Sequence, residues 1–149
     1  MTAYKTPVSV LVVIHTVAGE FLLIERAAHP GYWQSVTGSL EATDADLATT
    51  ARREVFEETG IPPELGTLTN WRLSNRYEIF PEWRHRYAPG VTTNTEHLFS
   101  LSLPSRTDIR LAENEHRAAV WLAADDAAAR CFSWSNRDAI RLIQRHLAD

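Results

Sequence analysis

Gly38-Ser39-Leu40-Glu41-Ala42-Thr43-Asp44-Ala45-Asp46-Leu47-Ala48-Thr49-Thr50-Ala51-Arg52-Arg53-Glu54-Val55-Phe56-Glu57-Glu58-Thr59-Gly60-Ile61 is the stretch on which the reading of this chain turns. Its second half has the composition of a helix, expected over Asp46–Thr59. Thr43 and Asp46 have capping-box spacing. Gly60 supplies a stop, and Pro62-Pro63 prevents continuation. Glu54, Glu57 and Glu58 stand at i, i+3 and i+4, so a helix puts them side by side on one face. Three like charges repel there, and only Arg53, four residues before Glu57, gives local relief. A solvated face accounts for Glu-x-x-Glu-Glu alone. A divalent cation would turn the repulsion into binding, because Mg²⁺ takes a few carboxylates, water and substrate phosphates as ligands.

Outward from this helix the chain alternates strands with a few helices. Val8–His15 is rich in β-branched residues and predicts a buried strand. Ala18-Gly19 offers a turn, with Glu20–Glu25 returning as a hairpin partner. Trp33–Val36 predicts a short strand leading into Thr37-Gly38. Leu68–Leu73, Arg76–Phe80, Glu96–Leu103 and Ala119–Leu122 are further strand candidates, with a long loop over Pro81–Thr95. Asp125–Arg130 predicts a short helix. Ser135, with Asp138 three residues on, predicts the cap of a last helix whose apolar face is Ile140, Leu142, Ile143 and Leu147. The interspersed pattern points to an α/β (α+β) sandwich.

A length of 149 residues fits one domain over residues 1–149, large enough for a sizeable core. The net charge of −4 argues against nucleic acid as a partner, which would call for a basic face. A small anionic ligand stays compatible, since a bound cation reverses the local field. The single cysteine, Cys131, rules out an intrachain disulfide and reads as a buried side chain. The apolar run Val8–Ile14 is too short to span a bilayer. A cytoplasmic monomer with no membrane partner is the expectation.

Gly38 followed by Arg53-Glu54-Val55-Phe56-Glu57-Glu58-Thr59-Gly60-Ile61 resembles the Nudix box, G-x5-E-x7-R-E-U-x-E-E-x-G-U, where U is a bulky apolar residue. The second half matches throughout. The halves stand one residue further apart than in the family. Asp44 lies at the distance of the first box Glu counted from Gly38, whereas counting back from Arg53 lands on Ala45. The extra residue is expected before the helix, near Ala42–Ala45, since an insertion within it would rotate the glutamates by about 100°. The resemblance implies a Nudix-type α/β/α sandwich with a mixed sheet. It implies metal ligands at Glu54 and Glu58, helped by Glu57, with Glu115 as a further ligand outside the box. It implies Mg²⁺, or Mn²⁺, as cofactor, and Arg53 orienting a box carboxylate through an ion pair. The implied reaction is attack of water on phosphorus in an X–diphosphate. Glu57, Glu58 and Glu115, with Arg53, are the catalytic candidates, and the general base stays open between Glu57 and Glu115.

Tyr32–Ser39, Arg84–Glu96 and Ser133–Arg137 are similar to the bacterial branch of the family that releases pyrophosphate from 7,8-dihydroneopterin triphosphate in folate synthesis. That likeness implies substrate contacts at Lys5, Arg26, Thr37, Tyr77, Glu78, Ile79, Phe80 and Ser133. Lys5 and Arg26 could neutralise a triphosphate, or be plain surface charges. Tyr77 and Phe80 could stack on a flat ring, or belong to the core. Ser133 could be a turn residue. Arg84-His85-Arg86 suits a phosphate clamp and a solvated loop equally. A Nudix enzyme for ordinary or other nucleoside phosphates is the alternative, and a non-catalytic ligand-sensing module a further one; the intact Glu54, Glu57 and Glu58 speak against the last.

Overall fold

In the computed structural model, which describes residues 4–148, the chain carries seven strands and three α-helices. These are β1 (Val8–Thr16), β2 (Glu20–Arg26), β3 (Trp33–Gln34), β4 (Val36–Ser39), α1 (Leu47–Thr59), β5 (Thr67–Glu78), β6 (Thr93–Leu103), β7 (His116–Ala123), α2 (Ala124–Arg130) and α3 (Trp134–Leu147). β1 lies beside β6 in parallel, Val8 opposite Thr95 and Thr16 opposite Leu103. The other strand-to-strand pairings are antiparallel: β1 with β2 and β4, β2 with β3 and β7, and β5 with β6; Trp33 of β3 also makes an isolated parallel bridge to Cys131. The sheet is therefore mixed, as expected.

Side chains alternate across the strands, which creates two cores. Val10, Val12 and Ile14 of β1, Leu22 and Ile24 of β2, and Phe99, Leu101 and Leu103 of β6 meet Ala51 and Val55 of α1. The intervening Leu11, Val13, Phe21, Leu23 and Leu98 meet Ala127, Ala128, Ala139, Ile140 and Ile143 of α2 and α3. Helices thus cover both faces of the sheet, which is the α/β/α sandwich. Cys131 is buried in the second core, and burial pushes its thiol up to about 12, so it packs and does not react.

Several element boundaries differ from the sequence reading for local reasons. Asp46, not Thr43, caps α1, accepting from the Thr49 N–H at 2.8 Å. Ser133, not Ser135, caps α3, accepting from the Asn136 N–H at 3.3 Å. The two strands expected around Leu68–Phe80 are one strand with an irregularity between Asn70 and Ser74. There Arg72 takes φ 56°, and its N–H is caught by Asn70 Oδ1 at 2.9 Å. Alternation breaks at that bulge, so the sequence reads as two pieces. Trp33–Val36 divides into β3 and β4, which continue to Ser39. The loop after β5 holds a 3₁₀ segment over Pro81–Arg86, and β6 begins at Thr93, inside the stretch expected to be loop.

Candidate active site

The site forms where the last turns of α1 lie against β4. Each of three consecutive β4 residues engages one α1 side chain. The Thr37 N–H donates to Glu58 Oε2 at 3.3 Å. Gly38 leaves room for the Glu54 carboxyl, whose Cδ would stand 2.1 Å from a Cβ at that position. The Ser39 carbonyl accepts from Arg53 Nη2 at 3.2 Å. A helix brings residues 54 and 58 to one stripe, and a strand spaces their partners in register, so Thr37-Gly38-Ser39 is a rack for the box residues.

Arg53 is the hub. Its guanidinium meets Asp44 in a two-point contact, Nε to Oδ1 at 3.1 Å and Nη2 to Oδ2 at 2.9 Å. Nη1 reaches Glu54 Oε1 at 2.7 Å, Glu57 Oε2 at 3.2 Å and Glu41 Oε1 at 3.4 Å. The fork of the guanidinium suits this planar recognition. Asp44 also accepts from the Glu41 N–H and the Thr50 hydroxyl, and the Arg53 contact above all holds its carboxyl far below the usual carboxylate range. The extra residue is thereby located: α1 runs unbroken from Leu47 to Thr59, and the slack lies in the loop before it.

Glu58 is a buried acid and Glu54 a partly buried one, each with few partners. Burial raises Glu54 to about 7, against the opposing pull of Arg53. Burial raises Glu58 well above the carboxylate range, with Glu54 and Glu115 adding repulsion. Glu58, Glu115 and His116 bring possible ligand atoms within 4.8 Å of one another. Burial lowers His116 to about 4, assisted by Arg26, so its ring is neutral at pH 7. With two carboxylates converging, Glu58 buried and Glu115 exposed, this set fits a hard divalent cation, whose field would relieve the repulsion.

A cleft of about 1070 Å³ opens on these carboxylates. Lys5, Arg26, Thr37, Tyr77, Glu54, Glu58 and Glu115 line it, together with His85, Arg86, Asn94 and His116. Glu57, Glu78, Ile79, Phe80 and Ser133 are not among its lining residues. Glu57 is half exposed and occupied by Arg53. Glu78 points to solvent, Ile79 is buried, and Phe80 packs on Trp83 with ring centroids 5.0 Å apart. Ser133 serves as the α3 cap. The basic cluster splits: Arg84 turns away to the Ile79 carbonyl, whereas His85 and Arg86 face the cleft. Arg26 lies over the Trp83 ring at 4.6 Å. Lys5 and Arg26 are both held below their ordinary values by desolvation and by Arg86, which shows how closely the cations gather. Among the described residues, no ion pair engages Lys5, Arg26 or Arg86.

The sequence pattern of the NUDIX domain matches residues 5–143. The chain belongs to the NUDIX family. It is similar to dihydroneopterin triphosphate diphosphatase of Escherichia coli K12, 47% identical over 140 residues that cover 92% of this chain and 91% of that one. The Haemophilus influenzae diphosphatase of the same name is 36% identical over 144 residues, covering 95% and 89%. The structure of the E. coli dihydroneopterin triphosphate pyrophosphohydrolase superposes with a TM-score of 0.89 at 44% identity, covering 97% of this chain and 99% of that one. Nudix hydrolases use divalent metals, and the Glu58, Glu115 and His116 group is where the geometry offers such an ion a place.

Within the Nudix box, Asp44 fills the place left open by the shifted spacing, since it supplies the carboxylate that Arg53 grips. Asn94 was beyond sequence reasoning as a cleft residue, and nothing in the sequence places His116 beside α1. Asn94 and His116 sit at strand ends that only the sheet register brings to α1. Arg86 could be suspected only as part of a short basic cluster. No helix among the described residues is long and apolar enough to cross a membrane.

Proposed function

We propose that the chain hydrolyses 7,8-dihydroneopterin triphosphate to dihydroneopterin monophosphate and pyrophosphate, using Mg²⁺ or, in its place, Mn²⁺. The observation that carries this reading is the opposition, within one cleft, of carboxylates at Glu54, Glu58 and Glu115, Glu58 among them buried, and cations at Lys5, Arg26 and Arg86 that no ion pair among the described residues engages. A polyphosphate with its metal satisfies both sides at once. The two relatives named for this activity, similar over nearly their whole length, supply the substrate class.

Glu54 and Glu58, with Glu115, would hold the cation. When bound, it supplies charge neutralisation at the phosphate oxygens and lowers the pKa of a bound water. Lys5, Arg26 and Arg86 bind the triphosphate and fix its orientation, which provides much of the acceleration in phosphoryl chemistry. The Thr37 N–H holds Glu58 in place. Arg53, gripped by Asp44, holds Glu54. Water adds to one phosphorus of the α–β linkage, the bridging oxygen leaves with the other, and the proton released goes to a carboxylate. Glu115 is the better acceptor, because it lies in the cleft while Glu57 is engaged by Arg53 outside its lining. His116, neutral, stands beside Glu115 as a possible further ligand atom rather than a second cation.

The test is a substrate panel with Mg²⁺, measuring pyrophosphate and orthophosphate separately. Dihydroneopterin triphosphate is expected to give pyrophosphate with a kcat/KM at least tenfold above that for any nucleoside triphosphate, and chelation of the metal to abolish turnover. Faster turnover of the nucleotides would assign the chain to nucleoside polyphosphates instead.

A further inference from the structure

Arg26, the last residue of β2, is set apart from the other cleft cations by what holds its guanidinium. Desolvation first, and then the charge of Arg86, work against its own charge. No carboxylate among the described residues pairs with it, and two neutral groups hold it instead. Its Cζ lies over the Trp83 ring, 4.6 Å from the centroid, and Nη1 donates to Gln34 Oε1 at 3.4 Å. Gln34 is 4% exposed and is itself fixed, its Nε2 donating to the Thr37 hydroxyl at 3.3 Å. A guanidinium that stacks on an aromatic face and donates in its own plane is restrained in both tilt and rotation. Arg26, Gln34, Thr37 and Trp83 all line the cleft.

The Trp83 ring is in turn clamped by rings from three separate segments. Phe80, just after β5, packs on it with centroids 5.0 Å apart, and His29 and Phe132 meet it at steep angles, 5.6 and 6.4 Å away. The 3₁₀ segment that carries Trp83 ends in Arg86. Stacking Arg26 on Trp83 therefore ties β2 to the segment that supplies the second arginine, and offsets the repulsion between the two. Glu58 and Glu115 attract Arg26 from the other side. An unrestrained arginine would fall onto those carboxylates and spend both charges. We propose that Trp83 and Gln34 are positioning residues, a brace that keeps the Arg26 guanidinium clear of Glu58 and Glu115 and presents it to phosphate. The proposal rests on Arg26 binding phosphate, as in the function proposed above, and not on the identity of the substrate ring.

The experiment is a mutant cycle read by calorimetry with Mg²⁺-tripolyphosphate, a probe that has no ring. Trp83→Leu keeps apolar bulk but removes the π face, and is expected to weaken binding about fivefold, the scale of a partly shielded cation–π contact. Trp83→Phe, which keeps an aromatic face, is expected to stay within twofold of wild type. Gln34→Met keeps the length but neither hydrogen bond, and should weaken binding about threefold. The same changes are then made on Arg26→Gln, where a brace acting only through Arg26 has nothing left to hold, so Trp83→Leu should add less than a twofold loss. Equal losses in both backgrounds would mean that Trp83 merely supports its loop, and the proposal fails. Full affinity in Trp83→Leu, or in Arg26→Gln, sinks it as well. A signature in the wild-type protein does not depend on how any variant folds: the indole ring current should shift the Arg26 Cδ protons upfield of those of the other arginines by NMR, and unshifted protons overturn the stack. If dihydroneopterin triphosphate proves a poor substrate while the cycle holds, the substrate assignment falls and the brace stands.

Discussion

A Cβ on Gly38 would stand 2.1 Å from Cδ and 2.4 Å from Oε1 of Glu54. The clash falls on the far end of a flexible side chain, which can swing aside at little cost to the fold. Gly38→Ala should therefore leave the unfolding temperature within a few degrees of wild type. It should also displace a carboxylate proposed as a metal ligand and weaken Mn²⁺ affinity tenfold or more, read by calorimetry on the protein alone. Loss of stability with unchanged metal affinity would show that Glu54 is not a ligand. Glu58→Gln keeps the shape and the Thr37 contact but removes a charge from the centre of the site. It should cut kcat for pyrophosphate release on the order of a hundredfold or more, the scale of losing one electrostatic contact to a transition state. Near-normal release would refute the role assigned to Glu58.

At the scale of the element, α1 has two separate supports at its start. Asp46 caps the helix, and Asp44 in the preceding loop anchors Arg53 about two turns in. Asp46→Ala should cost about 1 kcal/mol in urea unfolding, the usual value of an N-cap, with activity retained. Asp44→Ala should cost about 3 kcal/mol, because it breaks a shielded two-point ion pair, and should lower activity as Arg53 is freed to pull Glu54 out of place. Similar stability losses in the two variants would show that Asp44 is a loop residue only. Asp44 titrates below its unfolded value, so its contribution is present above pH 3.8 and is lost as acid protonates the folded carboxyl. The one-residue extension of the box is tolerated for a related reason. It lengthens a loop whose end is tied by Asp44, and the register of Glu54, Glu57 and Glu58 on the helix is untouched.

At the scale of the whole molecule, and away from the cleft carboxylates, Glu96 is a buried carboxyl on β6 with one oxygen unpartnered. Burial raises it to about 7 from 4.5. The folded state therefore binds this proton more tightly than the unfolded chain, so stability is highest below pH 4.5 and falls as pH rises towards 7. At about 1.4 kcal/mol per pH unit the full loss is about 3 kcal/mol. Glu96→Gln should remove this slope, matching wild type near pH 5 and exceeding it at pH 8 in urea unfolding. Parallel pH profiles for the two proteins would show that Glu96 ionises freely in the fold.

The order of strands and helices, the carboxylate face of α1 and its stop at Gly60 were legible in the sequence. They depend on periodicity, glycine and charge over a few neighbouring residues, and such local rules are written in the chain. Thr37-Gly38 was legible as the approach to the box, but not as the rack that seats Glu58 and Glu54. That role needs β4 and α1 in contact. Which residue stands at the first box position was left between Asp44 and Ala45 by counting, and in the folded loop Asp44 is the one that meets Arg53. Lys5, Arg86, Asn94 and His116 are scattered from one end of the chain towards the other. Only the parallel pairing of β1 with β6 and the antiparallel pairing of β2 with β7 bring them to one cleft. Local sequence sets what a segment prefers to be; the burial of two faces of one sheet sets which distant segments meet, and the gathering of opposite charges in one cleft comes from that meeting.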